Sequence, residues 1–259
     1  LIEIGFPTSF RAGFHIERLD INLFLEQFIP YDLSNTSINS KKNKIDNSSN
    51  AEGWDWRRAT KKWEIYNPDH DDYQLKGACR RYIGRVLSIK NRTESINLPE
   101  VMKAFKQANK GVKTLMAVTS HDFRNIATEV DEVRNFIVKA KKKYPNVKFN
   151  YVDTSEGFRN TINFKMNKKP KLKLGIKRIN KNSFKILTKN GEVFGPQPFL
   201  AIKFKNGRYM SDNLDFGLNK KIWYYTLNED TVLLKDIKVL AVGAADKFGN
   251  YDVCRYFFN

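Results

Sequence analysis

Thr114–Asn125 reads TLMAVTSHDFRN. The run Leu115 to Val118 is apolar, and Ser120, His121, Asp122 and Arg124 follow at once. Parallel α/β enzymes present their chemistry in this way, because the C-terminal ends of parallel strands share one edge of the sheet. The chain has only 3 histidines, so a histidine at a strand end is informative. The plainer alternative is a loop histidine held by a backbone carbonyl.

The surrounding pattern supports an α/β setting. Upstream, Asn97-Leu98-Pro99-Glu100 is a helix start: an Asn cap, an early Pro, and Glu three residues after the cap. Val101, Ala104, Phe105 and Ala108 form its apolar face, and Gly111 suits the residue after its end. Downstream, Thr128 is placed to cap a helix in which Val130, Val133, Ile137, Ala140 and Tyr144 recur at helical spacing, before Pro145. Val147–Val152 then reads as a strand. Strand, helix, strand with short connections predicts a βαβ unit with parallel strands. A short helix around Ser155–Phe164 follows.

Towards the N-terminus, Thr8–Ala12 reads as a short strand and Glu17–Phe28 as a helix. Ser34–Asn50 is rich in Ser, Asn and Lys and reads as a long loop, of the kind that is functional or disordered. An aromatic segment follows, with Trp54, Trp56, Trp63, Tyr66 and Tyr73. From Lys171 the pattern alternates in period two, as in Lys171-Leu172-Lys173-Leu174 and Ala201-Ile202-Lys203-Phe204. Asn190-Gly191 and Asn206-Gly207 are two-residue hairpin signals, and Gly249-Asn250 offers another turn. Trp223-Tyr224-Tyr225, Val232–Leu234 and Ile237–Val242 read as further strands. Short strands at this spacing predict a β-sandwich-like module, with the boundary near Asn167–Pro170.

Composition sets wider bounds. A chain of 259 residues, 41% hydrophobic and 29% charged, suits one large domain or two smaller ones. No apolar run approaches the ~20 residues of a membrane-spanning helix. Leu1-Ile2-Glu3-Ile4-Gly5 has neither a basic start nor an apolar core, so no signal peptide is expected in it; opening on Leu rather than Met reads as a fragment or a processed product. The net charge of +18 fits either a polyanion partner or a scatter of solvated lysines, of which Lys165–Lys181 is the densest stretch. No nucleic-acid motif sits among them. Cys79 and Cys254 form no CxxC pair, so no zinc ribbon is expected and compartment stays open, as does oligomeric state.

Phe10-Arg11-Ala12-Gly13, a helix, and Tyr31-Asp32-Leu33-Ser34 resemble the polysaccharide deacetylase superfamily, which often reads Phe-Arg-Ala-Gly, a helix, and Tyr-Asp-Ser-Ser. The strand ending in Ser120-His121-Asp122 looks like that family's last motif. The likeness spans roughly residues 5–160 and rests on the order of short motifs. It implies hydrolysis of N-acetyl groups on a glycan, with zinc or another divalent metal activating water and a histidine protonating the leaving amine. By that resemblance His121 is the acid, Arg11 orients the catalytic carboxylate, and Asp122 or Asp32 fixes the histidine's tautomer. The family's paired-Asp motif and His-x-x-x-His metal pair, which precede the Arg motif, are not in this sequence, so this chain supplies no metal ligands and is expected to be inactive alone.

Other clusters carry two readings each. Asp69, His70, Asp71 and Asp72 are a cation site or a solvated turn after Pro68. Asp212, Asn213 and Asp215 are a calcium loop or a polar turn, the twelve-residue calcium pattern being absent. Trp54 and Trp56, with Arg124, are a carbohydrate-binding surface, or the tryptophans plug a core under the loop. The expectation is thus an α/β chain: a partial deacetylase-like (β/α) barrel over 1–167 and a β-sandwich-like accessory domain over 168–259. Its partner is a carbohydrate substrate. The alternative is a non-catalytic glycan- or polyanion-binding protein on the same scaffold.

Overall fold

The computed structural model describes residues 5–13, 17–38, 56–90, 95–120, 125–162, 171–228 and 230–258. Contacts divide the chain into two units: Ser9–Leu23 with Tyr31–Phe164, and Leu1–Thr8 with Phe24–Pro30 and Lys165–Asn259. The first mixes helices and strands and the second is mainly β.

In the α/β unit, β1 (Ser9–Phe10), β2 (Tyr31–Asn35), β4 (Tyr82–Ser88) and β5 (Ala117–Thr119) are parallel in that spatial order, and β3 (Ile65–Tyr66) runs antiparallel to β4. The described residues form an open sheet and no closed barrel. Helix α1 (Leu19–Phe28) connects β1 to β2, and α2 (Leu98–Asn109) lies between β4 and β5. Asn97 Oδ1 accepts from the Glu100 N–H, and Gly111 turns at φ 79 after the helix, as its sequence predicts. Helix α3 (Ala127–Lys143) begins before Thr128: Asn125 Oδ1 accepts from the Ala127 N–H, so Thr128 lies inside the helix. Val133, Ile137 and Ala140 of α3 close one core with Val101, Ala104 and Phe105 of α2 and Leu87 of β4. Asp153 caps α4 (Thr154–Ile162) through the Glu156 N–H.

The expected strand Val147–Val152 does not form. These residues run outside any helix or strand, and Tyr151 is 70% exposed. The parallel neighbour of β5 is β4, a strand the sequence pattern hides. Its apolar residues Ile83, Val86 and Leu87 are interrupted by Arg85 and preceded by Arg81, both of which look like surface residues and are fully buried. The polar loop expected from Ser34 also starts later. Ser34 and Asn35 complete β2, and Ile38 joins the core; residues 39–50 lie outside the described set.

The second unit contains two four-stranded antiparallel sheets. One orders β10 (Asp215–Phe216), β11 (Ile222–Thr226), β7 (Ser183–Asn190), β6 (Lys173–Arg178); the other orders β13 (Tyr251–Phe257), β12 (Ile237–Ala245), β8 (Phe199–Phe204), β9 (Tyr209–Asp212). Their inner faces share one core, including Leu174, Phe184, Ile186, Trp223, Leu200, Ile202, Leu240 and Val242. Asp252 on β13 accepts from the Leu174 N–H on β6, tying the two edge strands. Asn206-Gly207 makes the β8–β9 hairpin, with Gly207 at φ 87. Asn190-Gly191 does not make one: β7 ends there and the chain moves to the other sheet, where β8 pairs with β9 and β12. Val232–Leu234 is not a strand; it runs into a turn of 3-10 helix (Leu234–Asp236). The expected boundary near Asn167–Pro170 lies outside the described residues.

Candidate functional site

Motif Phe10-Arg11-Ala12-Gly13 and motif Tyr31-Asp32-Leu33-Ser34 stand side by side. Ser9 is level with Tyr31 and Phe10 with Asp32, in parallel register. Beyond the last paired residue the Ala12 N–H donates to Ser34 Oγ at 2.9 Å, inside the fold. Asp32 turns to Arg81 on one side of β2, and Tyr31 and Leu33 meet Phe158 on the other. On that other side the Tyr31 ring stacks on Phe158 of α4 at 4.5 Å, and Leu33 and Phe158 close over Gly84, where an added Cβ would meet each at 3.0 Å.

Asp32 serves a buried ionic cluster. Arg81, just before β4, donates through Nη1 to Asp32 Oδ2 and through Nη2 to Glu17 Oε1. Its Nε reaches Asn22 Oδ1 at 2.9 Å. The side chains of Arg81 and Glu17 are fully buried, and Asp32 is 1% exposed. Two carboxylates thus face one guanidinium, and Glu17 Oε2 and Asp32 Oδ1 each lack a hydrogen-bond donor among the described residues. Burial, then the charge of Asp32, pushes the Glu17 carboxyl up to about 9. At neutral pH Glu17 therefore holds a proton, which leaves one net negative charge to match Arg81. Asn22 Nδ2 extends the cluster to the carbonyls of Asp69 and His70 at 3.3 Å each.

A second buried arginine braces the next level of β4. Arg85 Nε donates to the Ser37 carbonyl and Nη1 to Glu100 Oε2, both at 2.6 Å, and the guanidinium lies 4.3 Å from the Trp63 ring centroid. Glu100 is the residue expected to complete a capping box; its side chain turns to Arg85 instead.

The end of β5 borders a groove of about 830 Å³, lined in part by Leu33, Leu115, Val118, Ser120, Tyr151 and Asp153. Ser120 Oγ is buried there without a hydrogen-bond partner among the described residues. His121, Asp122, Arg124 and Trp54 lie outside the described residues, as does His15. Arg11 is exposed directly after β1. The register does not bring Arg11 level with the end of β5. Phe10 aligns through Asp32 with Ile83, whereas Thr119 aligns with Ser88. Residues 83 to 88 separate the two levels, roughly 16 Å at ~3.3 Å per residue. The exit of β1 at Phe10 is thus staggered along the sheet from the last paired residue of β5.

Two expectations change. Asp32 is held by Arg81 beneath the surface rather than offered to a cleft. Trp56 is 3% exposed and packs edge-on to Tyr73 at 4.9 Å, so its ring is core and not a sugar platform. The acidic clusters bond their own turns. Asp69 Oδ1 accepts from the Asp71 N–H, Asp72 Oδ1 from the Gln74 N–H, and His70 pairs with Asp71 at 2.7 Å. Asp212 accepts from the Asn213 N–H and the Tyr225 hydroxyl. Among the described residues no group of three or more His, Cys, Asp or Glu side chains is placed to hold a metal. With Asp32 bound to Arg81, the described residues do not fit the metal centre that the resemblance implies.

Sequence reasoning missed Glu17, Asn22, Arg81 and Arg85. The available signal was Arg80-Arg81 set directly before, and Arg85 set inside, the β-prone run Tyr82–Ile89. The fold and this arrangement define a two-unit chain: an α/β unit with an open, mainly parallel sheet and an ionic spine, and a two-sheet β unit. No helix among the described residues is long and apolar enough to cross a membrane. No protein-family model, curated protein or solved structure matches the chain.

Proposed function

We propose that the α/β unit is part of a polysaccharide-deacetylase-like hydrolase acting on N-acetyl groups of a glycan or glycan precursor. The observation that carries this reading is the bond between its two motifs. Phe10-Arg11-Ala12-Gly13 and Tyr31-Asp32-Leu33-Ser34, distant in sequence, occupy adjacent parallel strands and meet at Ala12 and Ser34. The strand carrying the third motif, β5, belongs to the same parallel set.

In this reading His121, one residue beyond Ser120, protonates the departing amine, which otherwise leaves poorly. Asp122 orients that imidazole. Arg11, exposed at the end of β1, binds a carboxylate or the substrate's polar groups, and Arg124 contributes to glycan binding. Asp32 acts indirectly, through Arg81, by tying β2 to the start of β4 and to Glu17 ahead of α1. The metal that activates water in the family would take its ligands from outside the residues described.

The experiment is acetate release from tetra-N-acetylchitotetraose by the full-length protein. His121→Ala is expected to reduce the rate by about 10²–10⁴-fold, the span of a lost general acid, with substrate affinity retained. Wild-type rates from His121→Ala would sink the assignment. The second reading, glycan or polyanion binding without catalysis, draws on the net charge of +18. It predicts binding that survives His121→Ala and weakens steeply with salt.

A further inference from the structure

The β unit has a concave site that the deacetylase reading does not use. Edge strands β6 and β13 are tied by Asp252, and near the end of both a pocket of about 610 Å³ opens. That volume lies within the ~300–1,000 Å³ of small-molecule sites. Its lining is Arg178, Lys181, Leu233, Leu234 and Lys235, with Tyr256, Phe257 and Phe258. Three cations and three aromatic rings meet there, and among the described residues no carboxylate joins the lining.

The cations are placed for an anion. Arg178 donates through Nε to the Asn180 carbonyl at 3.0 Å and through Nη2 to the Lys181 carbonyl at 2.5 Å. The hairpin after β6 thereby fixes the plane of the guanidinium, and Nη1 has no acceptor among the described residues. Neither Arg178 nor Lys235 has an ion-pair partner among them. A fixed guanidinium with a free N–H edge suits an oxyanion, and a nearby ammonium adds charge.

The wall is placed for a ring. Tyr256 and Phe258 lie 5.1 Å apart and both pack on Phe184 in edge-to-face fashion, so their positions are set by the core. Phe257 is 65% exposed and Leu233 44% exposed at the rim. An extended polyanion would call for a stripe of cations along the surface; a single concavity with an aromatic wall favours a compact ligand.

We propose that this pocket binds a small organic anion, a phosphate or sulfate ester whose ring lies against Tyr256–Phe258 while Arg178 and Lys235 hold the anionic group. The site stands independently of the deacetylase reading. Its test is an amide-resolved NMR titration of the full chain with three probes: phenyl phosphate, inorganic phosphate and neutral phenyl β-glucoside. Phenyl phosphate should shift the amides of 178–181, 233–235 and 256–258, and bind about tenfold more tightly than either other probe. Arg178→Ala with Lys235→Ala should weaken it by about tenfold or more, and Arg178→Lys should fall between, since it keeps charge and loses the fork. Lys235→Gln alone, at an exposed position, gives the same direction should the double variant fail to fold. Equal affinity for phenyl phosphate and inorganic phosphate, shifts elsewhere, unchanged affinity in the variants, or no binding at about 10 mM would each overturn the proposal. Co-sedimentation with phosphatidylglycerol vesicles is the remaining arm. Vesicle binding lost with Arg178 and Lys235, in a protein that ignores phenyl phosphate, would assign the pocket to a lipid surface and also overturn it.

Discussion

Ala12 and Ser34 are joined by a hydrogen bond of 2.9 Å from backbone amide to side-chain hydroxyl, which locks the chain leaving β1 onto the last turn of side chains of β2. The amide is buried and Ser34 is fully buried. Ser34→Ala would leave that N–H without an acceptor, and the expected cost is about 1–3 kcal/mol. Urea denaturation of the two proteins checks it. A loss below measurement would mean that water or another acceptor replaces the hydroxyl.

The ionic spine makes a pH prediction with a definite sign. Glu17 is held up at about 9 in the folded state, against about 4.3 in an unfolded chain. Between these values the folded protein binds the extra proton, so stability falls as pH rises through the window and levels above about 9. Glu17→Gln keeps a neutral donor beside Asp32 and cannot ionise. Its unfolding free energy is expected to decline less between pH 5 and pH 9 than that of the wild type. Parallel pH profiles in the two proteins would remove Glu17 as the titrating group.

Arg85 and Glu100 form a buried pair over Trp63. Removing one partner strands a charge in the core, so Arg85→Leu or Glu100→Leu alone should cost about 3–5 kcal/mol. The double variant replaces charge with apolar volume and should recover much of that loss. Thermal melts of all four proteins close the cycle; additive losses would show that the two side chains do not act as a pair.

Gly195 is required by contact rather than by backbone angle. A Cβ at this position would sit 1.5 Å from the Gln27 carbonyl oxygen. Backbone cannot yield as a side-chain tip does, so Gly195→Ala is expected to destabilise the β unit by more than the ~1–3 kcal/mol of ordinary overpacking. Tryptophan fluorescence during denaturation, sensitive to buried Trp223, reports it.

Much of the secondary structure was legible because its causes are local. Asn97 and Pro99 start α2, Gly111 ends it, Pro145 closes the chain after α3, and Asn206-Gly207 turns a hairpin, each through a backbone preference within a few residues. The period-two texture after Lys171 announced the antiparallel sheets for the same reason. The strand at Thr114–Val118 was legible as well, shifted to Ala117–Thr119.

What stayed hidden depended on distant partners. Tyr82–Ser88 is the central strand, yet Arg81 and Arg85 disguise it, because a charged residue reads as solvent-facing until its buried partners are known. Those partners, Glu17, Asn22, Asp32 and Glu100, come from other elements. Val147–Val152 has strand composition but no neighbouring strand among the described residues, so composition alone could not make it one. Trp56 is interior because Tyr73 packs against it. By itself the sequence determined the helices and the Asn206-Gly207 hairpin, the change of texture between the two units, and the motifs at residues 10–13 and 31–34. Only the tertiary structure decided that those motifs touch, that arginines form the spine beneath them, and that the exit of β1 and the end of β5 are staggered. Capping and turn preferences act over a few bonds, whereas strand register and charge pairing arise only when separate segments are packed together.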